Sequence, residues 1–349
     1  MSLETYIQAM PKVELGLQLE GAIPQQTLLM LADQNEVAAS IKGYDRYLAM
    51  LRNPDADNID QLVETFTQWI VHPDDLSRVI YDVGVSLSKQ NIKYAEIGLN
   101  PSLFMRHGMT FDSFMEAIED GCDRVRRGWK VELKWSLNIS RSEPRRSDEI
   151  ARWVASAKAR KFGVIALGLV GDETAQPPGQ FERAFRNADK KSIATLVHAG
   201  DAHGATGVLE TLDVLHPDRL AGAWGISESQ DALKRLSDDR VPLDLSISEA
   251  RFNGQIENLG DYPLRQLVDD NLNISLSARM PELFGVSLGD SYHCAVTECG
   301  LTVDELEQIS LNAVRNSFLD DEELQSLLTE FEQAYAALRL EHLDTETTE

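Results

Sequence analysis

Apolar residues along this chain alternate between two periods. Short β-prone runs occupy Lys12–Leu19, Lys93–Leu99, Val131–Ile139, Val164–Val170, Ser192–Ala199, Arg219–Ile226, Pro242–Ser248 and Asn273–Ala278. Such short apolar runs suit strands buried on both faces. Longer stretches with helical spacing lie between them. In Phe111–Arg127, residues Phe111, Phe114, Met115, Ile118 and Cys122 recur three and four apart, and Glu228–Leu236 also has helical spacing. Strands alternating with helices predict a parallel sheet. Eight of them predict an α/β fold closed into a (β/α)8 TIM-type barrel.

About 70 residues separate the first run from the second. This insertion carries Gln25–Ala32, Gly43–Arg52 and Ile59–Trp69, which read as short helices over the barrel mouth. Long connections after barrel strands often form lids or pocket walls. The segment Thr302–Leu340 reads as two further helices. Asp304, Glu305 and Glu307 crowd the start of the first, where the helix dipole favours acids. The second starts near Asp320 and runs through Phe331, Tyr335 and Leu338. A single domain over 1–349 is expected, with a core of about 10–340 and an acidic, frayed tail at 341–349. A proline- and glycine-rich loop, Gln176–Gln180, follows the fourth strand.

Charge narrows the function. The chain has 33 basic and 57 acidic side chains, a net of −24. Phosphate backbones and anionic lipid surfaces both attract basic proteins, so nucleic-acid and membrane partners are not expected. No basic start followed by an apolar run marks a secretory leader, and no apolar run is long enough to span a bilayer. Cys122, Cys294 and Cys299 are too few for a disulfide framework and read as small buried hydrophobes. A cytoplasmic location is the expectation.

In a barrel, chemistry sits at the C-terminal ends of the strands. Those ends read Gly16-Leu17-Gln18-Leu19-Glu20, Tyr94-Ala95-Glu96-Ile97, Gly171-Asp172-Glu173, His198-Ala199-Gly200-Asp201 and Ala278-Arg279-Met280-Pro281. With the opening Met10-Pro11-Lys12-Val13-Glu14-Leu15, Pro281-Glu282-Leu283-Phe284-Gly285 and Asn312-Ala313-Val314, they resemble the adenosine and adenine deaminases of the amidohydrolase superfamily. The resemblance runs from Met10 to about Leu338 and implies the barrel independently of the periodicity.

The resemblance also implies a zinc held by a His-x-His pair on the first strand, a histidine on the fifth and an aspartate on the eighth. Here those positions hold Gly16 with Gln18, His198 and Arg279. The family's catalytic histidine on the sixth strand falls on Gly222, and its acid glutamate on the fifth falls on Asp201. The family's Cys-Pro-Thr-Ser-Asn run after the seventh strand is Ser246-Ile247-Ser248-Glu249-Ala250. Catalytic zinc needs about three protein donors, and Arg279 repels a divalent cation. From these four positions the expectation is that the chain holds no cofactor or metal.

The reading that follows is a metal-free pseudoenzyme binding a purine-like small molecule. Neutral His198 with Arg279 would restore the family site's charge of about +1. Arg279 would clamp an anionic or carbonyl group, or else pair with Asp201 as a structural bridge. By the resemblance, Gly171 and Glu173 would meet a purine ring and Glu20 a ribose hydroxyl. The alternatives are a metal-independent enzyme acting through Asp201, His198 and Arg279, and a zinc deaminase with the unorthodox ligands Glu20, His198 and His203. The sequence leaves the oligomeric state open.

Overall fold

The structure, a computed structural model, describes residues 2–40, 44–106 and 108–343. Eight strands form it: β1 (Lys12–Gln18), β2 (Ile92–Leu99), β3 (Glu132–Ser140), β4 (Val164–Val170), β5 (Ala194–Ala199), β6 (Arg219–Gly222), β7 (Leu243–Leu245) and β8 (Ile274–Leu276). They pair in parallel in sequence order. At the seam the Gln18 N–H donates to the Arg279 carbonyl (2.8 Å) and the Ala278 N–H to the Glu14 carboxylate (3.1 Å). The barrel is therefore nearly closed, and the (β/α)8 expectation holds.

Each expected strand is present. The sixth, seventh and eighth are shorter than their apolar runs, the first two of them for local reasons. After β6 the backbone turns left-handed at Gly222 (φ 82°) and Ala223 (φ 51°), so the ladder stops. After β7 the Ser246 hydroxyl accepts the Glu249 N–H (3.2 Å) and caps a helix at Ile247–Phe252. Apolar content carried the run onward, but capping chemistry ended the strand.

The insertion after β1 folds into helices that include Gln25–Gln34, Tyr44–Arg52 and Ile59–Thr67; the expected Gly43 start lies outside the described residues. The helices of the second half include Val303–Arg315 and Asp321–His342. The last of these carries order into the expected tail, whose remainder, 344–349, lies outside the described residues. All three cysteines are buried and free. Among the described residues no helix is long and apolar enough to cross a membrane.

The barrel interior is polar near its centre. Glu14, Asp244, Ser275 and Ser277 are all buried there, and the Ser275 hydroxyl donates to Asp244 (2.9 Å). Burial first, then repulsion from Asp244, pushes the Glu14 carboxyl up to about 8. This cluster decides what the first strand can carry above it.

Candidate functional site

A cavity of about 390 Å³ opens at the C-terminal ends of the strands. Its floor is made by four residues from three strand ends. His198 closes β5 and is 5% exposed. Asp201 lies three residues on, beyond Gly200, whose φ of 100° turns the chain back over the mouth. Glu249 sits in the first turn of the capped helix after β7. Arg279 follows β8, in left-handed backbone (φ 62°), with 4% of its surface exposed.

His198 Nε2 lies 3.3 Å from Glu249 Oε2 and 3.5 Å from Asp201 Oδ2. Glu249 Oε1 accepts the Arg279 Nε–H at 2.9 Å. Burial pushes the Glu249 carboxyl up, but Arg279 and then His198 outweigh it and bring it down to about 2. Burial and Arg279 push His198 down, yet Asp201 and Glu249 together hold it above its ordinary value. Burial raises Asp201, more than His198 lowers it. Arg279 Nη1 is buried without a hydrogen-bond partner among the described residues.

Two expectations are corrected here. Arg279 pairs with Glu249, not Asp201, because the helix after β7 brings a carboxylate directly beside β8. The charge of about +1 counted only His198 and Arg279: Glu249 cancels Arg279, and with His198 neutral an ionised Asp201 brings the four floor groups to one net negative charge.

Glu173, Gly171 and Glu20 line the same cavity, with different attachments, and His203 is not among its lining residues. Glu173 is buried, and its carboxylate accepts the Gly200 and Ala202 N–H groups (2.9 and 2.8 Å), holding the loop that carries Asp201. Gly171 is exposed at the rim with φ 96°, a conformation that suits glycine. Glu20 accepts the Asn100 N–H through Oε1 (2.8 Å), and burial pushes its carboxyl up to about 7. His203 is exposed at the start of the helix Gly204–Leu215 and is not among the donors that cluster with His198.

The space for two of the family's histidines is filled. A Cβ on Gly16 would overlap the Asp244 carboxylate and crowd the Ser277 hydroxyl. A Cβ on Gly222 would lie 2.7 Å from His198 Nε2. Gln18 instead accepts from Asn138 across the barrel (2.8 Å).

A different donor set stands in their place. His198, Asp201 and Glu249 each offer one ligand atom, and these atoms all lie within 4.8 Å of one another. Two donors of a tetrahedral zinc, at bond lengths near 2.0–2.1 Å, stand about 3.3 Å apart. The two separations from His198 match that edge, and Arg279 fixes the far oxygen of Glu249 as outer partners of metal ligands do. One imidazole and two carboxylates leave a fourth position open to the cavity, so the residues fit a catalytic zinc. Sequence reasoning missed Glu249. Its signal was an acid in the first turn after a barrel strand, at a position where the family pattern has no ligand.

The adenosine deaminase family model matches residues 11–334. An adenosine deaminase of Bos taurus is 25% identical, over 93% of this chain and 94% of its own length. A Burkholderia ambifaria amidohydrolase solved with bound zinc superposes with a TM-score of 0.87 at 22% identity, covering 96% of this chain and 93% of its own. An Arabidopsis ADAL complexed with IMP gives 0.86 at 22%, covering 95% and 99%. The expectation of no cofactor is overturned by the donor cluster together with the zinc in that relative. It failed because it counted only the four inherited positions, while Asp201 and Glu249 lie outside them. The chain belongs to the adenosine deaminase family.

Proposed function

We propose that this protein binds a purine-type small molecule in the barrel mouth and removes an amino group from its ring by metal-assisted hydrolysis. The observation that carries the reading is the His198–Asp201–Glu249 cluster on the floor of a cavity, its ligand atoms all within 4.8 Å of one another. His198, Asp201 and Glu249 would hold the metal. Bound zinc supplies a water acidified toward neutrality.

The chain's own residues do the rest. Arg279 holds Glu249 through Nε, and its guanidinium, at the cavity lining, would donate to a carbonyl or ring acceptor of the ligand. Glu173 keeps the Asp201 loop in place through backbone amides. Glu20 lines the cavity wall, where its carboxyl would meet a ligand hydroxyl. Gly171 leaves the rim without a side chain where a flat ring would enter.

Binding without turnover is a second reading, favoured by the packing at Gly16 and Gly222, where two inherited histidine positions are closed. One experiment separates the two. The purified protein is equilibrated with zinc, dialysed, analysed for metal and assayed for ammonia release from adenosine, adenine and AMP. Retained zinc, weakened at least tenfold by Glu249→Gln or Asp201→Asn, with ammonia from one of these purines, supports hydrolysis. Ligand binding without ammonia overturns hydrolysis in favour of the second reading. Neither binding nor ammonia overturns both.

A further inference from the structure

We infer that the mouth selects a purine compound bearing a positively charged substituent and rejects one bearing a phosphate. This rests on the proposed reading of the cavity as a purine site and names the substrate class within it.

The cavity lining carries eight carboxylate side chains and two guanidinium groups among the described residues. Both guanidinium groups already have a carboxylate partner. Arg279 is paired with Glu249 on the floor. Arg106 at the rim is paired with both Glu64 and Glu143 (2.8 Å to the latter). What remains at the rim is Asp60, in the first turn of the helix Ile59–Thr67, and Asp172 after β4. Neither has a cationic partner within ion-pair distance among the described residues. Among the described residues the Asp172 carboxylate accepts only from Thr174, two residues on in the same loop. The cleft around Asp60 first, then repulsion from Asp172 and Glu64, raises its carboxyl. Two segments far apart in sequence thus bring acids without an ion-pair partner among the described residues to one rim, with Arg141 and His203 acting on Asp172 only from beyond contact distance.

The opposite end of the cavity independently points to a ligand. Arg279, nine-tenths buried, has Nη1 without an acceptor and lines the same space. A buried guanidinium donor left unpaired costs free energy that a ligand acceptor would recover. A molecule satisfying both ends has an acceptor on its ring for Arg279 and a cation outside it for Asp60 and Asp172. A phosphate placed at this rim would face like charge, within a molecule whose net charge is −24.

The test uses a matched series on the zinc-equilibrated protein: adenosine, AMP and 5′-amino-5′-deoxyadenosine, measured by calorimetry at about 20 mM and about 300 mM NaCl. The amine should bind at least tenfold tighter than adenosine at low salt, and AMP at least tenfold weaker, with both gaps narrowing at high salt. Asp60→Asn with Asp172→Asn should bring the three within about threefold of one another. Asp60→Asn alone, at an exposed position, should close part of the gap. Equal binding of adenosine and AMP, or a gap that persists in the double variant, overturns charge selection and leaves the purine reading standing. Binding of none of the three overturns the purine reading, and this inference with it.

Discussion

Glu249 faces two partners at once, Arg279 through one oxygen and His198 through the other. Removing Arg279 therefore strands a buried carboxylate. Arg279→Ala is expected to destabilise the protein by about 3–5 kcal/mol in urea unfolding at neutral pH. Arg279→Lys should recover only part of this, because an ammonium cannot reproduce the guanidinium fork. Glu20 behaves in the opposite sense. Its carboxyl is raised to about 7 in the folded protein, so ionising it opposes folding. The cost is absent below the unfolded value near 4.5, grows as pH rises, and is complete above about 7. Glu20→Gln should thus gain about 2–3 kcal/mol at pH 8 and nothing at pH 4, read from urea midpoints at the two pH values. Glu249, held near 2, contributes in the reverse window: its stabilisation is present above about pH 4.5 and lost as pH falls toward 2.

At the scale of elements, the eight strands were legible because buried parallel strands are short continuous apolar runs, such as Val164–Val170. Strand ends were less legible, since they are set by caps and left-handed residues rather than by apolar content. The floor was half legible. His198, Asp201 and Arg279 stand out by position at strand ends, but Glu249 emerges only when the Ser246 cap turns a predicted strand into a helix. The family's catalytic-histidine position on β6 is closed by packing. Gly222 has a left-handed backbone and His198 against its missing side chain. Gly222→Ala is expected to cost about 2 kcal/mol or more through strain and overlap, measured as a lower unfolding midpoint. An unchanged midpoint would mean that the His198 ring moves freely aside.

The molecule as a whole carries a net charge of −24. Self-repulsion at this level opposes compaction and is screened by salt. Raising NaCl from about 10 mM to about 500 mM should therefore raise the Tm by a few degrees, as followed by circular dichroism. A falling Tm would instead show that surface ion pairs such as Arg265 with Glu305 contribute more than the repulsion costs.

The seam between β1 and β8 gives the mouth a second voice. Arg279 uses its side chain on the cavity floor, while its main-chain carbonyl accepts the Gln18 N–H that helps close the barrel. Its left-handed backbone leaves little slack between these two duties. Whatever engages the guanidinium also steadies the last hydrogen bond of the cylinder. Deuterium uptake at the Gln18 amide should slow when the mouth is filled, making one backbone proton a gauge of occupancy that requires no turnover.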